Sequence, residues 1–309
     1  MQLVERSACA KIILCGEHAV VYGRPAIALP LPHLRAHARM SAHDAPLEIF
    51  AADLAETLRV DTAADSHPLA HIARVACTLR AIELPRARIE LRSDIPIGAN
   101  LGSGAAVSIT IARVIGAWSG REFTAQEAGD AAYEVEKLHH GTPSGIDNTT
   151  IAYEQPVRFV RGAAPTVLHT AHVAALPIVI ADTGRSTPTH VPVGDVRAAW
   201  RADSQRMERL FDAIAECVTA AQAALEAADL PQLGAAMNEN HRLLQTLDVS
   251  SPELDALCDA ARRAGALGAK MSGGGRGGNM LCLARDAHHA EHIAGVLRAA
   301  GAARIFTRE

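Results

Sequence analysis

The sequence predicts a two-domain protein that combines β-strands with α-helices, and three observations lead to this prediction. The chain has 309 residues, about twice the ~150 residues that are typical of one domain. Polar and apolar residues alternate over 33–50 and 86–92, as they do in the strands of a sheet. Helical periodicity dominates the later part of the chain, up to about residue 266. We therefore expect domains over residues 1–175 and 176–309.

The first domain is predicted to mix strands and helices. Short apolar runs separated by glycines favour a strand, a functional turn and a second strand within residues 9–30, with Val20 to Tyr22 in strand conformation. Strand character returns over residues 151–170. Helices are predicted where apolar residues recur at three- and four-residue steps or form an Ala/Val/Ile run: 67–84, from the loop at 96–104 to Gly116 or Gly120, and 125–139.

The second domain begins with a dense apolar run over 176–181, which predicts a central strand. A break at Pro188, Pro192 and Gly194 follows, and helices then continue to about residue 266. One of these helices is predicted to begin at Ser250, because Ser250 and Glu253 have the spacing of a capping box and Pro252 suits a first turn. The C-terminal elements are predicted as a glycine cluster, a strand, a helix and a last short strand: 273–278, 279–284, 287–300 and the final residues.

Composition excludes several classes of protein. Lysine and arginine form no long basic run and the net charge is −4, so we expect no nucleic-acid partner. No window approaches the ~18 apolar residues of a membrane span, so we expect no membrane association of that kind. The six cysteines form no C-x-x-C pair, which indicates reduced thiols in a cytoplasmic protein rather than a disulfide framework or a metal–thiolate site.

A glycine-bearing loop precedes the most apolar helix of the first domain. Glycines let the backbone approach a ligand, and a helix N-terminus offers free N–H groups and partial positive charge to a polyphosphate. A plain turn before a core helix explains the same pattern. The loop lacks the Gly-Lys-Ser/Thr ending of a Walker A motif. The loop residues that could contact a nucleotide are Pro96, Gly98, Ala99, Asn100, Leu101, Gly102, Ser103 and Gly104.

A second glycine cluster, 273–278, formally satisfies the G-x-G-x-x-G pattern of dinucleotide-binding proteins. That fingerprint belongs in a βαβ unit with an acidic residue ~20 positions later. Here the cluster comes late in the chain and leads into a strand, so a nicotinamide site is not expected.

Four segments together resemble the galactokinase, homoserine kinase, mevalonate kinase and phosphomevalonate kinase (GHMP) superfamily. They occur in the order found in that superfamily and span nearly the whole chain: 10–23, 96–106, 140–148 and 270–278. Within the superfamily, the run Gly-Glu-His-Ala-Val-Val-Tyr-Gly at 16–23 is similar to that of mevalonate kinases. Residues 237–241 and 250–254 also resemble mevalonate kinases.

This resemblance implies an α+β fold with an N-terminal ATP-binding α/β domain and a C-terminal ferredoxin-like domain. It also implies that ATP and Mg²⁺ are used to phosphorylate (R)-mevalonate to 5-phosphomevalonate in isoprenoid precursor synthesis. Two alternatives stay open: a kinase acting on the mevalonate 3-hydroxyl, phosphomevalonate or a sugar, and a non-catalytic nucleotide or metabolite sensor. Relatives in the superfamily are often dimers, so a homodimer is a further expectation.

The resemblance assigns roles to individual residues. Asp147 matches the catalytic carboxylate, and Lys11 matches the lysine beside it. Glu136 matches the magnesium-binding glutamate, and the second magnesium ligand is expected to be either Ser103 or a water molecule. In isolation, each of these residues is equally well explained as a solvated surface or turn residue. The substrate-side residues implied by the motifs are Glu17, His18, Thr187, Ser272, Gly273 and Gly274.

Three positions depart from the pattern of the superfamily. Gly104 stands where a second, magnesium-binding serine is usual. Arg276 stands where the third motif usually has glycine, and its guanidinium could contact a phosphate or carboxylate or point to solvent. Pro188 departs from the usual continuation after Thr187. These departures concern the metal geometry and the choice of acceptor more than ATP binding.

Overall fold

The computed structural model describes residues 3–96, 98–140, 143–169, 173 and 175–307, without the side chains of residues 139 and 140. Of the motif residues, Ile97, Gly141 and Thr142 lie outside the described residues. The chain forms two compact units whose segments interleave along the sequence. The first comprises Met1–Lys11, Pro30–Ile97 and Leu101–Gln155, and the second comprises Ile12–Leu29, Gly98–Asn100 and Pro156–Glu309. The division at residue 175 stays a prediction.

Four strands and four helices build the first unit, together with the start of β1. The strands are β1 (Leu3–Cys15), β2 (Ala26–Ala42), β3 (Glu48–Ala51), β4 (Glu56–Arg59) and β5 (Ala87–Ser93). The helices are α1 (Pro68–Arg80), α2 (Ser103–Trp118), α3 (Ala125–His140) and α4 (Ile146–Tyr153). β5 pairs antiparallel with the second half of β2 and parallel with β3, and β3 pairs antiparallel with β4. α2 is buried along most of its length because nearly all of its side chains are small or apolar.

The second unit contains a four-stranded antiparallel sheet and most of the helices. Its elements are β6 (Val157–Phe159), β7 (Thr166–Val167), β8 (Ile178–Asp182), α5 (His190–Ala202), α6 (Ser204–Glu226), α7 (Leu230–Thr246), α8 (Pro252–Arg263), β9 (Gly268–Ser272), β10 (Asn279–Leu283), α9 (Ala287–Ala299) and β11 (Arg304–Thr307). The four strands of this sheet lie in the order β11-β8-β10-β9. Helices connect β8 to β9 and β10 to β11, which is the ferredoxin-like arrangement that the sequence predicts.

The core of the second unit is built mainly from aliphatic side chains of the sheet and of α6 to α8, as the low aromatic content requires. An aromatic contact holds the segment that follows His18 against a helix of this unit. Tyr22 stacks on Phe211 of α6 with ring centroids 4.2 Å apart and an interplanar angle of 16°. This contact anchors the short 3₁₀ helix Ala19–Tyr22 to α6.

Two predicted strands are wrong. Val20 to Tyr22 is not a strand but a 3₁₀ turn. Gly23, with φ of 80°, closes this turn by donating to the carbonyl of Val20, and the N–H of Arg24 donates to the carbonyl of Ala19. Residues 151 to 153 belong to α4, and strand structure begins only at Val157. In both places the apolar residues are buried by a helical turn rather than by a sheet, and short apolar runs do not distinguish the two.

Two predicted helix boundaries are also wrong. Pro192 and Gly194 do not break the chain, because Pro192 occupies the first turn of α5, where an N–H group has no partner within the helix. The cap of α8 is Ser251 rather than Ser250: the Ser251 hydroxyl accepts from the N–H of Leu254. The hydroxyl of Ser250 instead donates to Asp255.

Within the described part of the chain, no helix is both long and apolar enough to cross a lipid bilayer. All six cysteines are buried and form no disulfide. Burial raises the pKa of the thiols of Cys9, Cys77 and Cys217 to about 11, so these side chains act as small apolar core residues.

Candidate active site

The N-terminus of α2 is shaped to accept an anion. Gly102 precedes the helix with φ of 80°, and no described side chain caps this end. Several N–H groups of the first turn are therefore available to a ligand. A Cβ atom on Gly102 would lie 2.8 Å from Ile151 Cδ1 and 3.2 Å from Lys11 Cγ, so only glycine fits this close approach.

Lys11 and Asp147 form an ion pair at the same place in the first unit. Lys11 Nζ lies 2.8 Å from Asp147 Oδ1, and the lysine side chain is only 3% exposed. Its backbone N–H donates to the carbonyl of Leu101 at 3.0 Å, which ties β1 to the residue before Gly102. Asp147 lies in the first turn of α4 and is partly exposed, so one face of its carboxylate can reach a ligand.

Glu136 on α3 adds a second carboxylate to this pair. Burial, together with the negative charge of Asp147, raises the pKa of Glu136 to about 8, and the Lys11 charge only partly offsets this. Two carboxylates thus share one ammonium group. A divalent cation supplies the positive charge that this arrangement lacks, so the residues present fit the magnesium ion that the sequence implies.

A magnesium ion at this position would need ligands from outside the protein. No group of three His, Cys, Asp or Glu side chains suited to a metal is found among the described residues. Magnesium usually takes one or two carboxylates and completes its shell with phosphate oxygens and water. Ser103, the first residue of α2, is partly exposed, and the position of Gly104 has nothing within 4 Å of an added Cβ.

In the second unit, the proposed acceptor residues Glu17 and His18 are buried and held by the β9 strand and the loop after it. The carboxylate of Glu17 pairs with the ammonium group of Lys270, and both side chains are almost fully buried. His18 Nε2 lies 3.0 Å from the carbonyl oxygen of Gly274. His18 also has φ of 61°, an uncommon conformation for a non-glycine residue that is often found at functional sites.

His18 is held in its neutral form. Burial, with a smaller contribution from the charge of Arg276, lowers the pKa of its imidazole to about 4, against the opposing effect of the Gly274 carbonyl. A neutral ring bonded to this carbonyl carries its hydrogen on Nε2 and donates it there. Nδ1 is then a hydrogen-bond acceptor, which suits a hydroxyl group of a substrate.

The glycine cluster brings the other proposed acceptor residues together. Thr187 Oγ1 donates to the carbonyl oxygen of Arg276 at 2.7 Å. Ser272 Oγ donates to the Ile13 carbonyl at 2.9 Å and accepts from the Ile13 N–H at 3.2 Å, so this hydroxyl has one lone pair left with which to accept a further hydrogen bond. Gly273, with φ of 87°, begins the loop between β9 and β10.

The guanidinium of Arg276 fastens this loop rather than pointing to solvent. It forms ion pairs with Asp195 on α5 and with Asp248, and it donates to the backbone carbonyl of Asp248 at 3.1 Å. The Arg276 N–H donates to the carbonyl of Val249 at 2.9 Å. These contacts satisfy the guanidinium within the protein.

Three buried polar residues of the second unit were not predicted as site residues. Lys270 holds Glu17, Asn279 Nδ2 donates to the carbonyl of Ala99, and Asn240 Oδ1 accepts from the N–H of Gly16 at 3.2 Å. Lys270 lies within the third sequence motif, but its burial cannot be read from the motif. Asn240 and Asn279 each lie next to a motif or in one, yet nothing in the sequence indicates which backbone groups they reach.

Comparisons with known proteins identify the family of this chain. A family model of the GHMP kinases N terminal domain matches residues 70–155, and one of the GHMP kinases C terminal region matches residues 221–303. The mevalonate kinase of Pyrococcus horikoshii is 33% identical over 100% of this chain and 96% of the relative. The chain belongs to the GHMP kinase family. The resemblance inferred from the sequence motifs is thereby confirmed.

Further relatives of this GHMP kinase carry the same name. The mevalonate kinase of Thermococcus gammatolerans is 36% identical over 91% of this chain and 89% of the relative. The crystal structure of L. major mevalonate kinase in complex with R-mevalonate matches with a TM-score of 0.84 at 26% identity, over 98% of this chain and 94% of that chain. The Methanococcus jannaschii mevalonate kinase structure matches with a TM-score of 0.85 at 24% identity, over 99% and 98%, which supports the α+β fold alone.

Proposed function

We propose that this GHMP kinase transfers the γ-phosphate of ATP to the primary hydroxyl of (R)-mevalonate, giving 5-phosphomevalonate in isoprenoid precursor synthesis. The observation that carries the kinase chemistry is the Lys11–Asp147 ion pair, which packs at the uncapped N-terminus of α2. The choice of acceptor follows from full-length relatives named mevalonate kinase at 32% to 36% identity.

The residues near the start of α2 each have a role in phosphoryl transfer. This reaction depends on positioning and on charge stabilisation. Asp147 accepts the proton of the acceptor hydroxyl or orients that hydroxyl, and Lys11 stabilises the negative charge that develops. Glu136 and Ser103 would hold Mg²⁺. When bound, the ion neutralises charge on the phosphate oxygens. The loop at 96–104 and the free N–H groups of α2 would bind the phosphates of ATP.

The polar residues of the second unit described above are proposed to bind the acceptor. Glu17 and His18, with Thr187 and the 272–274 segment, offer a carboxylate, a neutral imidazole, hydroxyls and backbone groups. Such groups suit a hydroxylated acid, because they can hydrogen-bond its hydroxyl groups. A cytoplasmic location and a homodimer are further proposals that the family suggests.

A substrate screen tests the proposed reaction. The protein is incubated with Mg²⁺ and ATP and with (R)-mevalonate, phosphomevalonate or galactose, while ADP release is followed. Phosphorus NMR then distinguishes a phosphate on the primary hydroxyl from one on the 3-hydroxyl. We expect turnover with mevalonate and a 5-phosphate product. Turnover on another acceptor alone reassigns the substrate, and ATP binding without turnover on any acceptor favours the sensor alternative.

A further inference from the structure

One face of the β9–β10 hairpin carries a row of buried polar side chains. Lys270 and Ser272 are two residues apart on β9 and therefore point to the same face. Ser272 lies directly opposite Asn279 of β10 in the antiparallel register, so Asn279 shares that face. All three are buried, with relative exposures of 0%, 4% and 1%. We call Lys270, Ser272 and Asn279 the hairpin row.

The members of the hairpin row hold two segments of the second unit: residues 13–18, which we call the acceptor segment, and the part of the glycine loop at Ala99. Lys270 pairs with Glu17, and its ammonium group also donates to the Met271 carbonyl at 2.6 Å. Ser272 bonds both backbone groups of Ile13. Asn279 donates to the carbonyl of Ala99, in the glycine loop that the proposed function assigns to ATP. The row thus reaches the acceptor segment at two points and the nucleotide loop at a third.

Because these contacts are buried, breaking them is costly, and they fix the positions of the segments that they hold. Placing an ammonium and a carboxylate in the interior is costly unless they are paired and hydrogen-bonded, so displacing Glu17 from Lys270 has a large free-energy cost. An exposed ion pair of the same type holds its partners only weakly. α7 supports the same segment, because Asn240 accepts from the N–H of Gly16. His241 Nδ1, the next residue, accepts from the N–H of Met271 at 3.2 Å.

The nucleotide loop is held in a similar way. Asn100 adopts φ of 56°, and a Cβ added to Gly278 would lie 2.7 Å from Asn100 Nδ2. The start of β10 therefore lies against residues 99 and 100, at the same place where Asn279 donates to Ala99. The Asn279 side chain thus holds the nucleotide loop, whereas the Lys270 side chain holds Glu17.

We propose that Lys270 and Asn279 are positioning residues with separable roles: Lys270 sets Glu17 for the acceptor, and Asn279 sets the glycine loop for ATP. This proposal rests on the proposed function, since it takes the acceptor to bind at Glu17 and ATP at the glycine loop. Neither residue is assigned a contact with the reacting atoms. Each acts through the segment it holds.

Steady-state kinetics of two variants test the separation. Lys270→Met is expected to raise KM for the acceptor by about tenfold or more, the equivalent of ~1.4 kcal/mol, with KM for ATP changed less than about twofold. Asn279→Ala is expected to raise KM for ATP by about tenfold or more and to change KM for the acceptor by less than about twofold. Arg242→Ala is the matched control for Lys270→Met, because it breaks an exposed ion pair with Glu239 on α7. It should change neither KM.

A second variant guards against loss of folding. Lys270→Met leaves the Glu17 carboxylate buried without its ammonium partner, which is destabilising. The double variant Lys270→Met with Glu17→Gln removes both charges. It is expected to recover much of the lost thermal stability. Its acceptor KM should equal that of Glu17→Gln alone, because Lys270 acts on the acceptor only through Glu17. A further rise in acceptor KM when Lys270→Met is added to Glu17→Gln would overturn this positioning role.

Equilibrium binding separates this proposal from the proposed function. Calorimetry with a non-hydrolysable ATP analogue needs no acceptor. It therefore measures nucleotide affinity independently of which alcohol is the substrate. We expect Asn279→Ala to weaken this binding by about tenfold and Lys270→Met to leave it unchanged. Equal effects of both variants on analogue binding would overturn the separation of roles. If the screen identifies a different alcohol, KM for that alcohol replaces KM for mevalonate in the acceptor arm.

Discussion

At the scale of single residues, the candidate active site has one more acidic group than its cation can neutralise. Glu136 and Asp147 share Lys11, and burial together with the charge of Asp147 raises the pKa of Glu136. Glu136→Gln removes the proposed metal ligand while keeping its size. We expect the Mg²⁺ concentration for half-maximal turnover to rise by about tenfold or more, the equivalent of ~1.4 kcal/mol.

A magnesium titration of ATP turnover measures this effect. Glu134→Gln is the matched control, because Glu134 lies on the same helix and makes an exposed i,i+3 ion pair with Lys137. It should leave the magnesium titration unchanged. An unaltered titration for Glu136→Gln would remove Glu136 from the metal site.

His18 gives a pH dependence with a definite sign. Its pKa is about 4 in the folded protein against an ordinary value of 6.5, so the unfolded chain binds more protons between these values. The free energy of unfolding should therefore be fully present above pH 6.5 and should fall as the pH drops towards 4. His241 contributes in the same direction, since burial, helped by Arg262, lowers its pKa to about 4 as well.

Denaturant unfolding at several pH values between 4 and 7 measures this slope. His18→Asn removes one of the two titrating groups, and asparagine tolerates positive φ better than most residues. The variant should show a shallower decline of unfolding free energy than the wild type over this range. A slope equal to that of the wild type would mean that His18 titrates normally in the folded protein.

At the scale of elements, the start of α2 depends on a glycine that has no room for a side chain. Gly102→Ala places a Cβ against Ile151 and Lys11 and forces alanine to a positive φ. We expect a loss of more than ~1 kcal/mol in unfolding free energy and a higher KM for ATP. Gly104→Ala is the stability control: Gly104 is within the helix and its Cβ position is open, so this change should add up to ~1 kcal/mol.

In the loop at Arg276, the cost of a positive φ and the stabilisation from ion pairs nearly cancel. Arg276 has φ of 53°, where glycine avoids a cost of roughly 1–2 kcal/mol, but its guanidinium makes ion pairs with the exposed residues Asp195 and Asp248. Such pairs are usually worth ~0–1 kcal/mol each. Arg276→Gly should thus change the unfolding free energy by less than about 1 kcal/mol, as measured by chemical denaturation. A loss well above that range would show that the ion pairs dominate the loop.

Elements with a clear periodicity were predictable from the sequence, and the misassigned ones share a physical cause. The helix predicted over 67–84 is α1, and the long apolar run after the glycine loop is α2. Val20 to Tyr22 was misassigned because its 3₁₀ conformation depends on Gly23 and on the contact between Tyr22 and Phe211. Tertiary contacts of this kind leave no local signal in the sequence.

At the scale of the whole molecule, the sequence motifs identified the family, and the fold class followed from it. The residues that position the motifs could not be predicted in the same way. Lys270, Asn240 and Asn279 act through buried contacts with backbone or side chains far away in sequence. Their side chains are of types that are usually exposed, so burial is the informative observation, and it requires coordinates.

The most direct test of the account compares turnover of (R)-mevalonate by the wild type and by Asp147→Asn, at saturating Mg²⁺ and ATP. We expect ATP-dependent formation of 5-phosphomevalonate by the wild type and a loss of about 10²–10⁴-fold in kcat for the variant, which cannot accept the hydroxyl proton. Binding of a non-hydrolysable ATP analogue should persist in the variant. Turnover by Asp147→Asn within a few-fold of the wild type would contradict the assignment of the Lys11–Asp147 pair as the catalytic centre.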